Sequence, residues 1–534
     1  MRAASSKRPR ARRPPEPAPY TREVIPRRRA LIAVAAVAAA GGCAVGPDYE
    51  RPQLGISERF SPRPGAATTS AEPASERWWA KFNDPVLEDL VARADMQNID
   101  LRRALLALET FRAQYSIDFT RLFPDIDTGL AYSRRRVDAN QIGIPNPDAL
   151  RTPFSNWQWN IASATWELDV WGAVRRQIEA GVSRVQATAS QYRAALVSIR
   201  AEVATAYMTI RQLQAQRAAV RDLAAGYERL LDAIEAKVER QVGSRRELAE
   251  VRSRRSSAIG DAYRFDGDIA RQVAGISILL AETPERVRAL VEPVRPIPMV
   301  EETVAVGVPA SLLERRPDVK AAERTLQAAT AEIGVAEVGY LPRFSFTGNF
   351  IIQTPDFANL TDISQNMTYG ITPAVAWNFM NILTGRTQAQ VTQAKARAAD
   401  ALLRYQLAAI TAINEVEGSI AAYTAARNAR ANFVDAAREI DDAYQLAFLQ
   451  YNRGRVNLES LILFLQAAVV ARDGLAQASG LAAQNYVELY RSLGGGWEGT
   501  PMPPAVDGVD REFRPDPKPN DFLAPPAKAT AAAG

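Results

Sequence analysis

The sequence contains no histidine and a single cysteine, Cys43. The first absence removes imidazole acid–base chemistry and histidine-ligated metals. The second removes intrachain disulfides and thiolate metal clusters. There is also no Gly-rich phosphate loop, no Ser/His/Asp set and no metal-ligand spacing, so neither catalysis nor a cofactor is expected. Proline is missing from Phe154 to Thr283 and again from Ala374 to Thr500. Because an internal proline breaks a helix, helices in these two stretches are free to run unusually far.

The net charge of +5 arises at one end of the chain. Residues 1–42 hold ten Lys/Arg and two acidic residues, and the remainder carries 55 basic against 58 acidic residues, a net charge of −3. A basic patch for nucleic acid is therefore not expected. The apolar run Ala30–Ala40 is too short to span a bilayer, which needs about twenty apolar residues. Preceded by arginines and followed by Gly41-Gly42-Cys43, it reads as a secretory signal. Small residues before a lone cysteine resemble a bacterial lipobox, with Cys43 as the lipidated first residue, although Ala40 stands where that pattern has leucine. The alternative is a plain signal peptide with an incidental thiol. Ala44 is not the aspartate that, in the lipoprotein pattern, marks inner-membrane retention, so the resemblance implies an outer-membrane destination.

A shift of 213 residues lays the second half of the chain on the first for about seventy positions without a gap. Gly172 falls on Gly385, Gln177 on Gln390, Tyr192 on Tyr405, Glu202 on Glu415 and Arg217 on Arg430. One architecture used twice is expected, and a duplicated uninterrupted helix points to a rod-like or tubular assembly. The periodicity predicts a short helix at Pro85–Met96 and a longer one over 99–122, which stops at Phe123-Pro124. In the second copy Pro317-Asp318 opens the matching helix, which ends at Tyr340-Leu341-Pro342. After each proline the period changes from 3.6 to 2. Strands are predicted over 126–135 and 157–169, and over 343–353 and 369–379. Trp157, Trp159 and Ile161 alternate with Gln158, Asn160 and Ala162, as half-buried strands do. Four strands leave open edges, whereas three copies would supply twelve, which can close.

From Ile178 to Val238 apolar residues recur at alternating four–three spacing, interrupted only by Arg217, which is coiled-coil patterning. The second copy's seam breaks at Ser419 and Arg430. A helix over 173–241 is about 100 Å long at about 1.5 Å per residue. It turns at Gly243 and returns over 246–281; together with 99–122 the return helix nearly matches the long one. The second copy repeats this with 386–451, a turn at Gly454, then 456–493 and 317–340. The expected organisation is a signal peptide (1–42), an anchor and extended arm (43–80), a first repeat (81–296), a second repeat (297–497) and a disordered tail (498–534).

The chain resembles the outer-membrane factors of bacterial efflux and secretion systems, specifically the TolC-like lipoproteins of the NodT type. The resemblance covers about 43–497. It is carried by Gly42-Cys43 followed by Val45-Gly46-Pro47-Asp48-Tyr49, by Trp78-Trp79 with Phe82-Asp84-Pro85, by Leu122-Phe123-Pro124 and by the Trp-to-Gly172 turn. It is also carried by Leu312-Leu313-Glu314-Arg315-Arg316-Pro317-Asp318-Val319, Tyr340-Leu341-Pro342 and Tyr451-Asn-Arg-Gly454. It implies a mainly α fold with a small β part: duplicated hairpins forming a periplasmic α-barrel, plus four strands given to a trimeric twelve-stranded outer-membrane β-barrel. It also implies a passive conduit for small molecules, supplied by an inner-membrane pump through a periplasmic adaptor. The competing classes are a periplasmic adaptor or coiled-coil structural lipoprotein, and the exit duct of a type I secretion system. Adaptors have one hairpin, whereas this chain has two hairpins and two strand pairs.

The turns at Gly243 and Gly454 are expected to form the pump-side aperture and the adaptor-docking rim. In many relatives an acidic residue about nine positions after the second-hairpin glycine forms a ring; here that position is Leu463. Glu459 sits one turn earlier on the same face. The expectation is a constriction closed by Leu463, with charge from Glu459 and a latch from Arg246, Glu247 and Glu250. Ordinary seam packing of Leu463 is the bland alternative. Trp166, Trp171 and Trp377 are expected to pack the strand–helix joints rather than to act as membrane-interface anchors. The Arg315-Arg316 pair is expected to be structural, Arg217 and Arg430 to pair with acids on neighbouring helices, and the Glu202/Glu415 match to reflect common descent.

Overall fold

A computed structural model of the chain describes residues 44–55, 68–69, 77–135, 154–241, 243–300, 304–305 and 314–500. The helices are α1 (Pro85–Gln97), α2 (Ile99–Thr120), α3 (Ala173–Glu239), α4 (Arg245–Leu280), α5 (Pro284–Val291), α6 (Pro317–Glu337), α7 (Ile363–Asn366), α8 (Phe379–Leu383), α9 (Arg386–Asn452) and α10 (Leu458–Ser492). The strands are β1 (Thr68–Thr69), β2 (Asp125–Arg135), β3 (Phe154–Leu168), β4 (Val304–Ala305), β5 (Arg343–Thr354) and β6 (Met367–Ala376). The long helices α3 and α9 each contain 67 residues, and a 213-residue shift carries the bounds of one onto the other. Each rises about 100 Å. Both begin after a glycine held at positive φ, Gly172 (+80°) and Gly385 (+76°), a conformation open to glycine at little cost.

The helices lie side by side in four columns. The stacked pair α2 and α4 flanks α3; the stacked pair α6 and α10 lies on the other side of α3; α9 closes the row. The antiparallel sheet has the same order, β2-β3-β5-β6. Each strand thus continues one helical column: β2 follows α2, β3 leads into α3, β5 follows α6 and β6 leads into α9. Around the midpoint of α3 a thick waist gathers Trp78, Trp79, Phe82, Leu87, Leu90, Tyr207, Met208, Tyr486 and Tyr490 into the main core. Because α3 has neighbours on both sides, it buries much more than one heptad seam. Arg211, which the seam pattern passes over, is fully enclosed there, donating to Tyr207 Oη (2.9 Å), Gln214 Oε1 (2.7 Å) and the carbonyls of Val291 and Pro293. The helix α10 is apolar for the same reason, wedged between α3 and α9.

The register sorts the sheet into two faces. Leu130, Tyr132, Trp157, Trp159, Phe346, Phe350, Ile371 and Val375 share one; Ser133, Asn156, Gln158, Thr347, Asn349 and Thr372 share the other. The alternation in β3 does not run through as the sequence suggests. A register shift between Asn160 and Ala162 drops Ile161 from the apolar row and places Ala162, Ala164, Trp166 and Leu168 there instead. A bulge inserts one residue and so exchanges the faces beyond it.

Three further expectations are corrected. The strand expected over 369–379 ends at Ala376, opposite Arg343, because β5 begins only there, after Pro342; Phe379–Leu383 then coils into α8. The arm expected to be extended over 43–80 is seated at 44–55, and Trp78–Phe82 form a buried 3-10 turn. Residues 498–500, expected to belong to the disordered tail, are held in place. The Glu498 carboxylate accepts from the amides of Gly496 (2.9 Å) and Trp497 (3.0 Å) and pairs with Arg315 (2.8 Å), while Thr500 accepts from Arg200 (2.8 Å). Residues 501–534 lie outside the described residues.

Candidate functional site at the hairpin tips and strand–helix joints

The two hairpin turns solve the same geometric problem differently. In the second, Gly454 takes the left-handed conformation (φ +70°); in the first, Gln241 takes it (φ +60°) and Gly243 does not. Gly243 is needed for space instead, since a Cβ there would stand 2.6 Å from the amide nitrogen of Val238.

Near the tips, α10 presents Leu461, Ile462 and Leu465 to a core containing Tyr227, Leu231, Ile234 and Tyr444. Leu463 points the other way and is 65% exposed, so within one chain it is not seam packing. Glu459, one turn earlier, is also exposed. The expected latch is not assembled within the chain: α3 stands between α4 and α10, and Glu250 pairs with Arg254 on its own helix (2.9 Å). Among the described residues, Arg246, Glu247 and Glu459 make no ion pair.

Other side chains bind the two hairpins together, and sequence reasoning passed over them. Lys237 donates to Tyr451 Oη (3.3 Å) and lies 4.7 Å from that ring's centre. Gln466 donates to Tyr227 Oη (3.1 Å). Arg472 on α10 bridges Asp222 on α3 (3.3 Å) and Asp441 on α9 (2.9 Å). Gln216 donates to Asp473 (2.7 Å). No spacing rule reveals these pairs, because each links residues more than 200 positions apart or crosses between columns. Arg217 pairs with Asp266 on α4 (2.5 Å), as an interrupted seam requires. Arg430 has no such pair among the described residues, and its buried Nε lacks a hydrogen-bond partner.

The strand–helix joints are held by indole groups. Trp166 Nε1 donates to the carbonyl of Leu122 (3.0 Å) and Trp377 Nε1 to that of Tyr340 (3.1 Å). Both acceptors lie two residues before the proline that ends a helix, so the two repeats use one device. Trp171 Nε1 donates to Pro342 O (2.7 Å), tying the first repeat to the second. At the waist Arg316 is buried, paired with Asp318 and Glu415 (both 2.7 Å) and donating to the carbonyl of Ser492 (2.7 Å). Glu415 thus has a structural role; its repeat-mate Glu202 is exposed. Cys43 lies outside the described residues.

Known proteins share this arrangement. The family model described as "Outer membrane efflux protein" matches residues 90–281 and 308–495. The toluene efflux pump outer membrane protein TtgC of Pseudomonas putida is 27% identical over 471 residues, covering 86% of this chain and 93% of that protein. Nodulation protein T of Rhizobium leguminosarum bv. viciae is 26% identical over 464 residues, covering 85% and 91%. The solved structure of the outer-membrane channel OprN is 26% identical, with a TM-score of 0.77 and coverage of 85% of this chain and 100% of that one. The four-column chain, with one apolar sheet face and two hundred-ångström hairpins, therefore belongs to the outer membrane efflux protein family and acts as an outer-membrane efflux channel.

Proposed function

We propose that three copies close edge to edge into a twelve-stranded barrel continuous with a helical tube, a passive conduit for small molecules. One observation carries this reading: the sheet and the helices share one column order, and among the described residues both edges of that row lack partners. One edge is β2 with α2 and α4, where Leu106, Ile117, Tyr263 and Ile278 (77%) are exposed. The other is β6 with α9, where Leu403, Leu407 (64%), Ile410 and Leu446 are exposed. Apolar rows and unpaired strand edges on opposite sides of one molecule fit a head-to-tail ring. The apolar sheet face meets lipid and the polar face lines the lumen, as in membrane barrels. Native mass spectrometry of the detergent-extracted protein is expected to return three chains. A monodisperse monomer with its sheet intact overturns the closure.

The turns at Gly243 and Gly454 form the pump-side rim on which a periplasmic adaptor and, through it, an inner-membrane pump dock. Leu463 and Glu459, exposed together on α10, line the constriction, with Arg246, Glu247 and Glu250 near the rim. The mature chain starts at a lipidated Cys43. Mass spectrometry of the N-terminal peptide is expected to show acylated Cys43, and an unmodified thiol or another start removes the anchor. Loss of the lipid should weaken anchoring and leave conduction intact, because the barrel inserts by itself.

A further inference from the structure

The residues after Cys43 are held by both repeats. The amide of Val45 donates to the carbonyl of Trp171 (3.0 Å). The buried guanidinium of Arg176, at the start of α3, donates to the carbonyls of Val45 and Gly46 (3.2 Å each) and to Asp48 Oδ1 (2.6 Å). Gly46, at φ +100°, lies against Gly334 of α6, so that a Cβ on Gly46 would collide with the Gly334 backbone. A Cβ on Gly334 would stand 2.5 Å from the carbonyl oxygen of Val45. A Cβ on Gly172 would come within 2.7 Å of Ala44. Farther along, Tyr49 donates to Glu323 (3.3 Å), and Tyr49 and Leu54 pack on Val319, Leu326 and Tyr405.

We propose that Val45–Tyr49 is a clamp joining the two repeats, and that it closes only once the leader has been removed; the second half rests on reading 1–42 as a cleaved signal. The walls of the seat, residues 171–179 and 323–334, belong to different repeats, so the clamp reports that both have docked. Ala44 touches Gly172 at the base of the sheet. The apolar run ends at Ala40, and four extended residues reach only about 14 Å. The hairpin tips alone stand about 100 Å from that corner, so once the corner lies at the outer membrane a leader still held in the inner membrane keeps Ala44 out of the seat.

Hydrogen–deuterium exchange of the full-length protein, read on the 44–54 peptide, tests both halves. Arg176→Ala is expected to speed exchange of these amides at least tenfold and to lower the temperature at which the oligomer dissociates. Arg176→Lys, which keeps charge but loses the planar fork, should fall between. Gly334→Ala provides an independent release, because alanine favours the helix while its Cβ meets Val45. Protection unchanged in Arg176→Ala and Gly334→Ala overturns the clamp, as does faster exchange with no change in dissociation temperature. For processing, Cys43→Ser with the leader uncleaved should leave 44–54 unprotected. The same substitution behind a leader cleaved at residue 43 should restore protection. Protection in the uncleaved chain, or its absence in the cleaved one, overturns the dependence on processing. The native mass of the unmodified protein reports on the trimer separately.

Discussion

Arg472→Ala should raise the resting mean conductance in planar bilayers about tenfold, through a larger open fraction. Arg472 forms ion pairs from α10 to carboxylates on both α3 and α9, Asp222 and Asp441. Its removal cuts both ties and leaves two acids beside a widened seam. Partly exposed ion pairs contribute about 0.2–1 kcal/mol each, and a shift of about 1.4 kcal/mol multiplies the open fraction about tenfold. The effect should shrink at 1 M salt, where screening acts over about 3 Å. Leu463→Ser should also raise resting conductance, but with no such salt dependence, since it acts by loss of apolar contact at the constriction. Glu459→Gln should weaken cation preference with little change in conductance. Unchanged conductance in both Arg472→Ala and Leu463→Ser would place the gate elsewhere.

Arg316→Ala is expected to cost about 3 kcal/mol of stability, measured by chemical unfolding in detergent. The side chain is buried where α6, α9 and α10 meet, and truncating it strands Asp318, Glu415 and the Ser492 carbonyl together. Removing one member of a buried pair costs about 3–5 kcal/mol; the half-exposed carboxylates put this site at the low end. The pair also has a pH signature. Burial alone would raise the Asp318 carboxyl, but the hydrogen bonds and charge of Arg316 outweigh it and hold the group below the usual carboxylate range. A carboxyl depressed in the native state adds stability above its unfolded value of about 3.9, and that stability is lost as pH falls through the lower native value. Unfolding profiles should therefore steepen below about pH 4 in the natural protein, and Asp318→Asn should flatten that limb. An acid limb unchanged by Asp318→Asn would remove the pair from the pH response.

The strand-length alternation, the two proline-free stretches and the glycine-terminated repeats were enough to read the elements along the chain. Those features act locally: φ at Gly172 and Gly385, the missing N–H of Pro124 and Pro342, and apolar periodicity each constrain a few neighbouring residues. The 213-residue shift carried further still, giving the matched lengths of α3 and α9. Most of the candidate site was not legible. Lys237 with Tyr451, Arg472 with Asp222 and Asp441, and the Arg176 clamp on Val45 and Asp48 join residues distant in sequence, and nothing in their spacing selects one partner over another. The bulge at Asn160–Ala162 was hidden because its register is set by the neighbouring strands. Local chemistry along the chain specifies the repeated helices, the strand pairs and the family, whereas which faces meet follows from packing in three dimensions. Side-chain pairing across columns depends on the rotation and height of packed helices, and those are settled by the whole interface at once.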